Sequence, residues 1–141
     1  MNTPLETSQD PAAASDAPSI LVVDDQAGQR VILDMLLTLD GYQVVAREDG
    51  RAALEYLREH TPQLVVLDVH MPFMTGVEIC SRIRRIQRLA KVPVIILTAV
   101  RDERTLTEAR LAKADRIVLK PLEGKDFRGL VRELLNEAKA A

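Results

Sequence analysis

Five short apolar runs, each followed by a stretch of helical length, constrain this chain more than any other feature. The runs are "SILVV" from Ser19, "YQVVA" from Tyr42, "QLVVL" from Gln63, "VPVIIL" from Val92 and "RIVL" from Arg116. None alternates cleanly between apolar and polar, so each reads as a strand buried on both faces. Between the first two runs, Val31, Met35 and Leu39 recur at i, i+4 and i+8, the spacing of a helix, which Gly41 ends. "DGRAALEYLREH" reads as a second helix with Asp49 as its N-cap, and "TGVEICSRIRRI" as a third, capped by Thr75 or starting near Gly76. "DERTLTEARLAK" and "EGKDFRGLVRELLNEAKA" supply the fourth and fifth. Strand and helix alternating five times predict an α/β, (βα)5 doubly wound fold: one five-stranded parallel sheet with helices on both faces.

Composition narrows this further. Hydrophobic residues make up 47% of the 141 but aromatics only 3%, so the core must be aliphatic. The length suits one domain. A net charge of −2 is no footprint for bulk nucleic-acid binding, and direct DNA binding by this chain is not expected. The single cysteine, Cys80, excludes an internal disulfide and a Cys-based zinc site and suits a reducing, cytoplasmic setting. No apolar run reaches the ~18 residues of a membrane span, so no membrane contact is expected. Residues 1–17 have no Lys, no Arg and no apolar stretch, which excludes a signal or transit peptide. They read as a disordered tail, with a short docking peptide as the alternative, and the folded domain is placed at 18–141. The reading has no linker and no second domain after the last helix.

The polar residues are arranged by the strands. In an open α/β sheet, ligands bind beyond the carboxyl ends of the strands, where the strand order reverses. The first run ends on Asp24-Asp25, the third on Asp68, the fourth on Thr98 and the fifth on Lys120. In the order 2-1-3-4-5 of flavodoxin-like folds, the first and third strands are neighbours at that reversal. Three carboxylates, a hydroxyl and an ammonium then share one shallow pocket. Converging carboxylates repel unless a cation joins them, and hard oxygen ligands with room for water and phosphate favour Mg²⁺. A carboxylate is also a nucleophile able to take a phosphoryl group, whose transfer needs positive charge and positioned donors. Lys120, Thr98 and Mg²⁺ supply them. Asp68 thus ends a buried strand because the core anchors it there while a small phosphodonor reaches it.

"ILVVDD", "LVVLDVHMPFMTG", "VPVIILTA" and "LKPL", in this order and spacing, resemble the receiver domain of two-component response regulators, from about Ser19 to Ala138. The resemblance implies a cytoplasmic phosphorelay switch that assists its own phosphorylation and dephosphorylation but is not an enzyme. Asp68 matches the phospho-acceptor, and Asp24 and Asp25 the acidic pair that binds Mg²⁺ with Asp68 and the backbone carbonyl of His70. Thr98 matches the switch hydroxyl, and Lys120 the lysine that pairs with the phosphoryl group. The Lys120-Pro121 bond is expected to be cis. Implied partners are a histidine kinase or histidine phosphotransfer protein, and a downstream effector or a phosphorylation-dependent homodimer.

Plainer readings exist for each residue. Asp24 and Asp25 could be an N-cap pair, Asp68 a turn cap, Thr98 a strand end and Lys120 a solvated lysine. Their joint placement at four carboxyl ends outweighs these. Cys80 reads as a small buried hydrophobe. The His70 ring reads as loop-exposed, though two residues from Asp68. "RIRRIQRLAK" reads as a solvated helix face, or less readily as an anionic-partner patch. Two positions depart from the family pattern. Lys113 stands where the family often has Gly, so a positive φ is expected there; Ile117 stands where an aromatic is common. Two alternatives complete the reading: a Mg²⁺-dependent aspartyl-phosphate hydrolase, for which no substrate cap is visible, and a receiver cut from a longer multidomain regulator.

Overall fold

The computed structural model describes residues 17–140. The tail reading at the N-terminus therefore falls, apart from Ala17, outside the described residues. The strands are β1 (Ser19–Val23), β2 (Gln43–Arg47), β3 (Leu64–Asp68), β4 (Val94–Thr98) and β5 (Arg116–Leu119). The helices are α1 (Ala27–Leu39), α2 (Gly50–Leu57), α3 (Gly76–Arg85), α4 (Glu103–Leu111) and α5 (Gly124–Ala140), with a 3₁₀ turn at Gln87–Leu89. All strand pairs are parallel, in the order β2-β1-β3-β4-β5. The expected doubly wound, flavodoxin-like sheet is therefore present.

Each strand divides its side chains between two cores. Leu21, Val23, Val65, Leu67, Val94 and Ile96 pack against α2 and α3 through Ala53, Leu57, Ile79 and Ile83. Ile20, Val22, Leu64, Val66, Ile95 and Leu97 pack against α1 and α5 through Leu33, Leu37, Phe127 and Val131. Burial on both faces is why the strands read as unbroken apolar runs. Each fully buried Leu contributes about 1.5–3 kcal/mol by leaving water.

Helix starts follow local chemistry. Asp49 accepts from Ala52 N, Thr75 from Glu78 N and Asp102 from Thr105 N, each relieving an amide that lacks an intrahelical partner. Gly41 and Lys113 both have positive φ, +88° and +68°, and end α1 and α4 by left-handed turns. The expectation for Lys113 holds. Phe73 shares this conformation, at +70°, and nothing in its residue type announces it.

Two readings change. The helical trio Val31, Met35 and Leu39 lies 57–70% exposed, while α1 faces the sheet with Leu33 and Leu37. α1 carries two apolar stripes, and the sheet takes only one. The basic run is also more than a solvated face. Arg84 donates to the carbonyls of Lys113 and Val92 and to Asp115 Oδ1, joining α3 to the start of β4 and the α4–β5 turn. Arg88 donates to the carbonyls of Leu57 and His60 and to Thr61 Oγ1, capping the C-terminal end of α2.

Candidate functional site

The parallel register brings the polar strand ends together. β3 ends on Asp68 itself, opposite Leu97 of β4 and next to β1, from which Asp24 and Asp25 emerge. Oxygens of Asp24, Asp25 and Asp68 lie within 4.8 Å of one another. Asp24 and Asp68 are buried, whereas Asp25 is exposed. Lys120 follows β5 and enters from the side: its Nζ is 2.6 Å from Asp68 Oδ1 and 3.9 Å from Asp24 Oδ2. The Lys120-Pro121 bond is cis, and Lys120 N donates to the Thr98 carbonyl at 2.8 Å, tying the end of β5 to that of β4.

Asp24 divides its work. Its Oδ1 accepts from Gln26 N at 2.9 Å in the turn just ahead of α1, whose N-cap is Gln26 and neither aspartate of the plainer reading. Its Oδ2 is buried, has no hydrogen-bond partner among the described residues and lies 3.9 Å from Lys120 Nζ. Burial raises the Asp24 pKa above its ordinary 3.8, the Asp68 and Asp25 charges add to this, and the Gln26 amide and Lys120 oppose it. A buried carboxyl group with two acids beside it and one ammonium at 3.9 Å, itself 2.6 Å from Asp68, is short of positive charge. The donor set, all hard oxygens, fits a small divalent cation such as Mg²⁺.

Thr98 is fully buried at the end of β4, but its hydroxyl is turned to its own loop. Oγ1 donates to the Val100 carbonyl at 3.3 Å and accepts from Val100 N at 3.0 Å. The His70 side chain is exposed. Ile117 is half-buried and packs inward against the α2–α3 side of the core. Cys80 is buried, donates to the Ala112 carbonyl, and has its pKa pushed up to about 11 by burial, which leaves it an unreactive thiol.

Two supports of the site went unread in the sequence. Arg30 of α1 donates from Nη1 to the Asp24 carbonyl at 2.7 Å and fastens the acidic loop. Gly76 opens α3 with its Cα against the Asp68 carbonyl, where any Cβ would clash with backbone, and its amide donates to the Val69 carbonyl at 3.1 Å. A glycine eight residues after a site aspartate was the available signal for the second. No local pattern marks the first.

Comparisons with known proteins agree with this geometry. The family model "Response regulator receiver domain" matches residues 20–132. The chain is 36% identical over 122 residues to the transcriptional regulatory protein AfsQ1 of Streptomyces coelicolor, covering 86% of this chain and 53% of that one. It is 39% identical over 119 residues to the probable transcriptional regulator ycf27 of Porphyra purpurea, covering 84% and 48%. It thus spans about half the length of these curated relatives. Among solved structures, the signal receiver domain of a signal transduction histidine kinase from Syntrophus aciditrophicus superposes with a TM-score of 0.84 at 32% identity, covering 89% of this chain and 95% of that one.

Proposed function

The chain belongs to the response regulator receiver domain family, and from that membership we propose that it accepts a phosphoryl group on Asp68 from a histidine kinase or histidine phosphotransfer protein. Receiver domains are signalling modules of two-component systems and bind Mg²⁺ in their acidic pocket. The observation that carries the reading here is the ammonium of Lys120, 2.6 Å from Asp68 Oδ1 and 3.9 Å from Asp24 Oδ2.

Asp68 is the nucleophile: one of its carboxylate oxygens forms the new bond to phosphorus as the bond to the donor's leaving atom breaks. Lys120 holds that carboxylate in place and supplies a charge-assisted donor to the incoming phosphoryl oxygens. Asp24, Asp25, Asp68 and the His70 carbonyl would hold Mg²⁺. Mg²⁺, when bound, supplies positive charge to the transferring phosphoryl group. The Thr98 hydroxyl is a rotor now spent on Val100, and a phosphoryl oxygen is the stronger acceptor for it. Turning Thr98 toward Asp68 vacates the space behind β4, and Ile117, already packed inward, is the residue that fills it.

The exposed stripe Val31, Met35 and Leu39 begins within two turns of the acidic pair and suits docking of the phosphodonor. The folded receiver unit runs from Pro18 toward the C-terminus and acts in the cytoplasm; among the described residues no helix is long and apolar enough to cross a membrane. The curated relatives are named as transcriptional regulators, so a transcriptional output in a longer protein is the coherent extension of this reading. Incubation with a small-molecule phosphodonor and Mg²⁺, followed by a Phos-tag gel, tests the proposal. A retarded band that disappears with EDTA supports it, and an unretarded band with fully folded protein and Mg²⁺ contradicts it.

A further inference from the structure

A shallow groove of about 640 Å³ lies alongside α2, between it and the residues that flank α3, Met74 before that helix and Ile86 and Arg88 after it. Leu54, Met74 and Ile86 form its apolar floor, and Arg51, Arg58 and Arg88 its rim. An adjoining cleft of about 390 Å³ shares Arg51 and Met74 and is closed by Pro72 and Phe73. The floor is preformed: Met74 sits so tightly on Gly50 that a Cβ there would meet its sulfur at 2.8 Å.

Phe73 stands at the end of this groove, fully exposed, with φ +70°. A non-glycine residue in the left-handed region costs about 1 kcal/mol, and an exposed aromatic ring adds unfavourable apolar surface. The turn is closed by the Met74 N–H donating to the Pro72 carbonyl at 2.8 Å, while among the described residues the ring itself stays fully exposed. Backbone strain of this kind is retained where surrounding structure uses it.

The rim also has a sign. Glu55 is the acid lining the larger groove, and Arg58 already holds it at 3.3 Å. Arg51 and Arg88 leave the edge positive on a chain whose net charge is −2. The Arg88 guanidinium is fixed by the carbonyls of Leu57 and His60, so its charge is held in place without ordering cost on binding.

We propose that the α2–α3 groove, with Phe73 as its end anchor, is a docking surface for an acidic amphipathic helix of a partner protein. An apolar stripe on such a helix would enter between α2 and α3, and carboxylates flanking it would meet Arg51, Arg58 and Arg88. None of Asp24, Asp25, Asp68, Thr98 and Lys120 lines this surface.

Titration of the full, ¹⁵N-labelled chain with two synthetic helices of about 14 residues tests it. Both carry leucines at i, i+3, i+4 and i+7; one has Glu flanking them and the other Lys. The acidic helix is expected to shift the amide signals of Leu54, Phe73, Met74 and Ile86 and to bind at least about tenfold more tightly than the basic one. Joint replacement Arg51→Glu and Arg58→Glu removes or reverses that preference, and Phe73→Ala weakens binding of the acidic helix. Raising salt from about 0.05 to about 0.5 M weakens the unmutated complex as well, a readout that needs no variant. Equal affinities, or shifts confined to α1, overturn the proposal. Concentration-dependent shifts of the same amides without peptide would instead assign the groove to a second copy of the chain. Tighter peptide binding after removal of residues 1–16 would assign it to the chain's own acidic N-terminal segment. Either result overturns an acidic helix of another protein as the occupant.

Discussion

Arg30, four residues beyond Gln26 at the head of α1, reaches back to the backbone carbonyl of Asp24 with a 2.7 Å hydrogen bond. The bond closes a loop around the acidic pair, so the helix carries part of the geometry that a metal ion meets. Arg30→Ala is expected to weaken Mg²⁺ binding by about tenfold, the lower end of the range for lost outer-shell support. Isothermal titration of the folded variant measures this. Arg30→Lys should recover part of the affinity, because an ammonium can still donate to that carbonyl.

Asp24 is a cost to the metal-free fold. Burial, aided by Asp68 and Asp25, raises its pKa above 3.8. A raised folded-state pKa gives stability that is fully present below 3.8 and lost as pH rises through the elevated folded value. In EDTA, the chain should therefore lose stability across that window, and Asp24→Asn should flatten the loss. The Asn side chain keeps the oxygen that Gln26 N needs, so at neutral pH the variant should be more stable by about 1 kcal/mol or more. Urea unfolding between acidic and neutral pH measures both effects. Addition of Mg²⁺ should stabilise the unmutated protein and leave Asp24→Asn nearly unaffected.

Asp40 shows the opposite sign. Hydrogen bonds from Arg128 at 3.0 and 2.5 Å hold its carboxyl below 3.8 and tie the end of α1 to α5. A depressed folded-state pKa gives stability that is present above 3.8 and lost as pH falls through the lower folded value. The melting temperature of Asp40→Asn should be lower than that of the unmutated chain at neutral pH. The gap should close on acidification below 3.8, which a series of thermal melts reads directly.

Lys113 is held at φ +68° while Arg84 donates twice to its carbonyl. Glycine takes this conformation without the Cβ penalty and keeps the carbonyl for Arg84, but loses more chain entropy on folding. Lys113→Gly should be neutral, or stabilising by up to about 1 kcal/mol. Chemical denaturation distinguishes this from the destabilisation expected had Lys113 been an ordinary helical residue.

The Val100 amide reports on Thr98, whose Oγ1 accepts from it at 3.0 Å. If a phosphoryl group on Asp68 draws the hydroxyl away, a stable phosphate mimic with Mg²⁺ should shift the Val100 amide signal. In Thr98→Ala, which has no hydroxyl to move, that shift should shrink several-fold while the mimic still binds. Ile117→Tyr should alter the change in self-association on adding the mimic, because a larger ring must then enter the space that Thr98 vacates. In the unmutated chain that change should be about tenfold or less, ~1.4 kcal/mol of coupling.

The fold was legible because the three central strands are buried on both faces, which leaves runs such as Leu64–Leu67 with no period to confuse. The site was legible because parallel strands deliver their last residues to one edge, so Asp24, Asp68, Thr98 and Lys120 could be grouped by position alone. What escaped depends on orientation. The spacing of Val31, Met35 and Leu39 gave the helix but not its face, since α1 is apolar on two sides. Arg30, Arg84 and Arg88 look like surface charge in the sequence; only the fold shows which carbonyls lie within reach of their guanidinium groups. The direction of the Thr98 hydroxyl is likewise set by Val100, which no residue pattern encodes.

Intact mass spectrometry of the full chain, after incubation with a small-molecule phosphodonor and Mg²⁺, tests the central claim most directly. The unmutated protein should gain the mass of one phosphate, and hydride reduction of the acyl phosphate should mark Asp68 in the digested peptide. Asp68→Asn should gain nothing while remaining folded by circular dichroism. An undiminished phosphate on Asp68→Asn, or a reduced residue at Asp24 or Asp25 in the unmutated chain, would contradict the assignment of Asp68 as phospho-acceptor.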